Sequence, residues 1–238
     1  MNQTPIPVKI KFIDFKCPYC QSSVSFPEQF IGRPQECPTC FQILIVPKPG
    51  EKIGAKLPIP FQTSKLLLRQ LAPIDSNDLL EIVGDENSIR YQDWYTMDVQ
   101  EVENWLANDD KTPKFQQGRV FFLAVELLEH PKVIGLVALN CNAEDKSEMS
   151  VDVFINHKYQ RRGFGTEAFR GMMKLFFARL NVRRICAWCD SRNLPGLHLL
   201  ERSGMRREGQ FVKCKFTKGE WVDTVQYALL QEEFVSAV

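Results

Sequence analysis

The chain carries almost no net charge: 30 basic side chains against 29 acidic ones leave +1 over 238 residues. Its totals therefore announce neither a nucleic acid nor a charged membrane surface as partner. Long apolar runs are also missing. Nothing approaches the roughly 18 consecutive apolar residues of a spanning helix, and the opening MNQTPIPVKIKF lacks the apolar core of a secretory signal. The reading is a cytoplasmic protein with no membrane partner. Histidine is scarce, and His130, His157 and His198 stand apart from one another, so none is given a chemical role. There is no internal repeat and no low-complexity tract. A composition of 44% hydrophobic and 25% charged residues is ordinary globular material, enough for one medium domain and a small one.

Cysteine is the residue in supply, with eight in the chain. Four of them, Cys17, Cys20, Cys37 and Cys40, form two CPxC pairs separated by sixteen residues. Each pair can bring two thiolates to one tetrahedral ion, and the spacing suits a hairpin that returns the chain to the same metal. The flanking VKIKFIDF, SVSFP and FQILIVP read as short strands. A unit this small has little core of its own, and zinc supplies roughly 10–16 kcal/mol in comparable modules. The segment resembles a zinc ribbon, with four thiolates and no open position, so the implied zinc is structural. A further CxxC, Cys186 and Cys189, falls in RRICAWCD, which reads as a strand whose residues three apart face opposite ways. These two, like Cys141 and Cys214, are assigned to core packing.

PKPGEKIGAKLPIP, with four prolines and no helical period, reads as a linker. The expected boundaries are 1–48 for the ribbon-like module, 49–62 for the linker and 63–238 for a larger domain. Seven basic and four acidic side chains in residues 1–60 give about +3 there, leaving about −2 for the rest. KLLLRQLAP reads as a strand and IDSNDLLEIVGD as a capped amphipathic helix. Asp98 and Glu101 have the form of a capping box ahead of Val102, Trp105 and Leu106. FFLAVELL and KVIGLVALN follow as strands. SEMSVDVFI alternates, with Met149, Val151, Val153 and Ile155 on one face and Glu148, Ser150 and Asp152 on the other.

That strand runs into YQRRGFGTEAF, and from Thr166 onward Phe169, Met172, Met173, Phe176, Phe177 and Leu180 recur at helical spacing. The two glycines thus sit in a strand-to-helix loop, where successive N–H groups can converge on an anion at the positive end of a helix. The loop lacks the Lys-Ser/Thr of a Walker motif and the third glycine of a dinucleotide fingerprint.

Gln160-Arg161-Arg162-Gly163-Phe164-Gly165 resembles the Q/R-x-x-G-x-G/A loop of the GNAT superfamily of acetyl-CoA-dependent N-acetyltransferases. The surrounding order is similar too: a helical pair after the first strand, the alternating strand before the loop, then RRICAWCD leading to SRNLPGLHLLERSGM, and GEWVDTVQYALL as closing strands. The likeness covers about residues 63–233 and lies nearest the ribosomal-protein N-terminal and spermidine acetyltransferases. It implies an α+β fold, with a mixed, mostly antiparallel central sheet flanked by helices, beside the small N-terminal β ribbon. It implies acetyl-CoA as cosubstrate and direct transfer to a primary amine, whether a protein N-terminus, a polyamine or a small molecule. The coenzyme's pyrophosphate would lie on the N–H groups from Arg161 to Thr166, with Gln160, Arg161, Arg162, Gly163, Phe164 and Gly165 forming the loop. Its pantetheine arm would pair with Val153, Phe154 and Ile155 and bond Asn193.

Where many relatives place a serine or tyrosine able to protonate the leaving thiolate, this chain has Gly196 and Leu200. For the base that takes the amine proton, Glu148 is preferred on the polar face of the strand before the loop, with Asp152 and Glu126 as rivals. A second reading keeps the domain as a degenerate coenzyme A binder and gives nucleic acid or protein binding to the ribbon, whose Phe12, Phe15, Tyr19 and Phe41 otherwise form its own core.

Overall fold

The computed structural model describes residues 11–17, 22–31, 33–39, 43–47, 59–108, 120–141, 148–177 and 182–236. The chain divides into two compact units, one built on Met1–Lys56 and the other on Leu57–Phe177 with Val182–Val238.

In the first unit, β1 (Phe12–Lys16) pairs antiparallel with β2 (Ser23–Pro27), and β3 (Pro34–Glu36) with β4 (Ile43–Ile45). Cys17 follows β1 and Cys37 follows β3, and both are buried in one cluster with Val24 and Val46. Phe15 stacks on Phe26 with ring centroids 6.0 Å apart. Phe12, expected in this core, is exposed, because it lies on the outward side of the alternating β1. Tyr19, Phe41, Cys20 and Cys40 lie outside the described residues.

The second unit is built on one eight-stranded sheet: β5 (Phe61–Gln62), β6 (Leu66–Gln70), β7 (Val120–Leu127), β8 (Val133–Cys141), β9 (Glu148–Ile155), β10 (Arg184–Asp190), β11 (Arg206–Thr217) and β12 (Glu220–Leu230). Its spatial order is β11-β12-β10-β9-β8-β7-β6-β5. Every pairing is antiparallel except β9 with β10. A parallel pair needs a crossover, and α4 (Phe164–Leu175) supplies it. The fold is thus the mixed, mostly antiparallel α+β type that the sequence implies. Phe61–Gln62, placed in the linker by composition, instead forms the edge strand β5, opposite Leu68 and Leu67.

Successive residues of a strand face opposite ways, so β9 meets different helices on its two sides. Phe154 lies in a core with α1 (Ser76–Val83) and α3 (Val99–Asn108), where Leu79, Ile82, Val83, Val102 and Leu106 pack on Ala124, Leu136 and Ala138. Ile155 faces α4: a Cβ on Gly165 would sit 3.5 Å from its Cγ1. The predicted stripe of α4 is buried at Phe169, Met172, Met173, Phe176 and Phe177; Leu180 lies outside the described residues. Each such side chain contributes roughly 1.5–3 kcal/mol on burial. The capping box at α3 is made in both directions, Asp98 N to Glu101 at 2.8 Å and Glu101 N to Asp98 at 2.9 Å.

Cys186 and Cys189 are buried as expected. Cys214 is not: it is exposed on β11, the outer strand of the sheet, with Sγ 3.0 Å from the Thr224 hydroxyl.

Candidate active site

Parallel pairing of β9 with β10 covers only Glu148, Met149 and Ser150, opposite Arg184, Ile185 and Cys186. On its other side β9 stays paired with β8 through to Ile155, opposite Gly135. From Val151 onward, therefore, the edge of β9 that faces β10 is open, and its backbone N–H and C=O groups on that side are free to bond an extended ligand. A cleft occupies the gap. Val151 to Phe154 form one wall, Ala187 to Asp190 the other, with Phe169, Asn193, Gly196, Leu199 and Leu200 from the helices behind and Tyr91 and Gln92 at the far side.

Past Ile155 the chain is tied into a loop. Asn156 donates its N–H to the Ile134 carbonyl and accepts from Lys158 N at 3.0 Å, while Gln160 Nε2 bonds the Ile155 carbonyl at 2.8 Å. Arg161 at φ 63° and Gly163 at φ 86° then turn the backbone left-handed, and α4 starts at Phe164, two residues before the helical stripe suggests. The two glycines differ in purpose. A Cβ at Gly163 would meet nothing within 4 Å, so its role is conformational and leaves the space above it open; one at Gly165 would stand 2.9 Å from Leu199 Cδ1, so its role is close packing of α4 on α5 (Leu194–Arg202). The first N–H groups of α4 have no partner within the helix and carry its positive dipole end. Arg161 and Arg162 are exposed beside them, Arg162 lying 5.5 Å from the Tyr159 ring centre.

The three carboxylates weighed as bases fall in three different settings. Glu148 stands where β9 and β10 still pair, and Arg184 Nε donates to it at 2.7 Å. It does not line the cleft. At about 3.3 Å per residue it lies roughly 13 Å along the strand from Asp152. Glu126 is held by Arg69 at 2.5 Å on the β6–β7 side. Asp152 alone lines the cleft. Burial pushes its carboxyl up to about 6, with the Lys215 ammonium pulling against the rise and Asp93 adding to it.

At the start of α5, Asn193 caps the helix by accepting from Gly196 N at 3.0 Å. Its Nδ2 remains for a ligand. A Cβ at Gly196 would lie 2.8 Å from Cys189 Sγ and 2.7 Å from Asn193 Nδ2, so the sulfur of Cys189 fills the space a serine would need. Burial, with the charges of Asp152 and Asp190 adding to it, raises that thiol to about 12. Leu200 is buried. Among the described lining residues the one hydroxyl is that of Tyr91. Tyr91 and Gln92 come from RYQDWY between two helices, an aromatic tract whose place at the cleft has no periodic signal in the sequence.

In the first unit, the Thr39 N–H lies 3.5 Å from Cys37 Sγ as a donor, the partner a metal-bound thiolate accepts. Cys17 and Cys37 share one buried cluster. Among the described residues there is no group of three or more metal-binding side chains; Cys20 and Cys40 lie outside them.

Comparison with known proteins bears on the same region. Residues 65–206 match the model of the acetyltransferase (GNAT) domain family. The chain is 29% identical over 175 residues to YnaD of Bacillus subtilis, an uncharacterized N-acetyltransferase, covering 72% of this chain and 97% of that one. It is 21% identical over 168 residues to the spermidine N(1)-acetyltransferase of Escherichia coli, covering 70% and 88%. Among solved structures it resembles the microcin C7 self-immunity acetyltransferase MccE in complex with acetyl-CoA and AMP, at TM-score 0.63 and 15% identity, covering 74% and 99%. The parted strands and the glycine loop therefore sit inside a matched region that spans more than half of the chain, and the chain belongs to the GNAT acetyltransferase family as an N-acetyltransferase.

Proposed function

We propose that the chain moves the acetyl group of acetyl-CoA directly to a primary amine in the cleft between β9 and β10. The observation that carries this is the end of β9–β10 pairing at Ser150. Beyond it an open strand edge that carries an ionisable carboxyl is followed along the chain by a helix N-terminus. The N–H groups from Arg161 to Thr166 hold the pyrophosphate, with Arg161 and Arg162 adding charge; two unit charges about 4 Å apart attract by roughly 4 kcal/mol at a protein surface before desolvation. Pantetheine pairs with Val153 to Ile155 and bonds Asn193. An N–H of that edge polarises the thioester carbonyl and stabilises the tetrahedral oxyanion. Asp152 draws a proton from the incoming ammonium, directly or through water; a carboxyl near pKa 6 is ionised at neutral pH yet more basic than an ordinary aspartate. The acetyl-CoA of MccE and the polyamine of the spermidine relative agree with both halves of this reading.

The first unit is proposed as a zinc ribbon in which Cys17, Cys20, Cys37 and Cys40 hold a structural ion, consistent with the buried pair and the N–H donated to Cys37.

The decisive experiment follows release of the coenzyme A thiol from acetyl-CoA with purified protein against panels of peptides with free N-termini, polyamines and amino sugars. Amine-dependent release with at least one class is expected. Acetyl-CoA that neither binds nor turns over with any amine would overturn the reading.

A further inference from the structure

An amine of the chain's own is paired to the segment that walls the cleft. Lys215 Nζ lies 2.5 Å from Asp93 Oδ2, and both side chains are about half exposed. Asp93 adjoins Tyr91 and Gln92, which line the cleft. The Lys215 charge also acts on the carboxyl of Asp152 in the cleft wall.

Strand geometry shows how Lys215 arrives there. Along β11, Phe211 stands opposite Thr224 but Lys215 stands opposite Val222, so Val212, Lys213 and Cys214 intervene on β11 where β12 has Asp223 alone. Lys213 takes φ 46°, and its N–H bonds Asp223 at 2.8 Å. An irregularity of this kind bends a strand and redirects the side chains after it. Past the bulge, Lys215 reaches Asp93, and Lys218 Nζ donates to the Ile89 carbonyl at 2.8 Å. The β11–β12 hairpin is thus fastened to the segment that walls the cleft.

We propose that Lys215 is an intramolecular acceptor, acetylated on Nζ by the chain's own active site. This rests on the reading of the cleft as the acetyl-transfer site. The ammonium gives up one proton to the Asp152 carboxylate, and the freed lone pair attacks the thioester carbonyl carbon of acetyl-CoA. A C–N bond forms, and collapse of the tetrahedral intermediate breaks the C–S bond with its electron pair going to sulfur. The second nitrogen proton neutralises the thiolate, leaving Nε-acetyl-lysine and coenzyme A. Acetylation removes the charge that Asp93 pairs with, so Asp93 and Asp152 are left facing any cationic amine that enters, and the KM for such an amine falls.

The test uses the purified full chain with acetyl-CoA and no added amine, acetylation being mapped by mass spectrometry of proteolytic peptides. Transfer to the amine panel is measured in parallel. The expected result is acetylation of Lys215 that is first order, independent of protein concentration and at least about tenfold faster than at the exposed Lys158 or Lys213. Asp152→Asn should slow it together with amine transfer, its folding checked by acetyl-CoA thermal shift, and Lys215→Arg should remove it. Lys215 left unmodified, modified no faster than Lys158, or modified at a rate that scales with protein concentration, while amine transfer proceeds, overturns the inference and leaves the function standing. Failure of both reactions sinks the acetyl-transfer reading and this inference with it.

Discussion

Arg184 donates to Glu148 at 2.7 Å across the one stretch where β9 and β10 pair, and its terminal nitrogens hold Glu208 at 3.0 and 2.6 Å. The Glu148 charge is therefore committed to tying two strands together just before they part. Four residues on, the same face of β9 presents Asp152 to the cleft, where burial keeps its carboxyl near 6. Position along the strand, rather than face, separates the carboxylate that ties two strands from the one that lines the cleft.

Asp152→Asn should lower the acetyl-transfer rate by about 10²–10⁴-fold at neutral pH, with acetyl-CoA affinity nearly unchanged. Transfer by the unaltered protein should rise with pH through about 6 as Asp152 ionises, and that limb should be absent from the variant's residual activity. Glu148→Gln should keep most of the rate and lose stability, because it leaves Arg184 with one partner fewer. Steady-state kinetics across pH decide it. A large loss in Glu148→Gln beside an active Asp152→Asn would return the role to Glu148.

Two glycines give opposite outcomes when enlarged. At Gly163 an added Cβ meets no atom within 4 Å, but Gly163→Val forces a branched residue to φ 86° and fills space over the helix N-terminus. Acetyl-CoA should then no longer raise the melting temperature, whereas it does so for the unaltered chain. Gly135→Ala places a Cβ onto the Phe154 carbonyl oxygen and 2.7 Å from Ile155 Cδ1. It should cost about 1–3 kcal/mol in urea unfolding. Undiminished coenzyme binding by Gly163→Val would make the loop a plain turn.

Much of this unit can be read locally. The α4 stripe, the α3 capping box and the alternation of β9 each depend on residues a few positions apart, and each takes the expected form. Local pattern also locates the loop, since Gly163 and Arg161 must turn left-handed between a strand and a helix. The carboxylate is another matter. Glu148 and Asp152 look alike in sequence, and only the end of a pairing with a strand about 36 residues later distinguishes them. Gly196 likewise reads as a missing serine until the Cys189 sulfur is seen to occupy the space. Lys215 depends on a β11 bulge that periodicity does not signal.

For the first unit, the purified protein should contain one zinc per chain, and Cys37→Ser should lose it together with the unit's folded signal. Cys37 is buried in a small cluster with Cys17, Val24 and Val46, and the proposed ion would supply most of what holds the two hairpins. Metal analysis by mass spectrometry settles the matter; equal zinc in both proteins would remove the ribbon assignment.

Glu167, in the first turn of α4, supports the far edge of the sheet. Its Oε1 accepts from Thr63 Oγ1 at 2.6 Å, Ser64 Oγ at 2.9 Å and Lys65 N at 2.7 Å, clasping the β5–β6 hairpin. Burial alone would raise this carboxyl, but the three donors outweigh it and hold it below the usual glutamate value. A carboxyl depressed in the folded state adds stability that is present above its unfolded pKa and is lost as pH falls through the folded one. The loss should therefore begin below about pH 4.3, the ordinary glutamate value. Glu167→Gln keeps the shape but not the charge, and should cost about 1–3 kcal/mol at neutral pH, nearer the lower figure because part of the site is exposed. The variant should also show a flatter fall in stability on acidification. Urea unfolding at neutral and acid pH measures both. If the two proteins unfold alike at each pH, the hairpin owes nothing to this carboxylate and the clasp is only geometric.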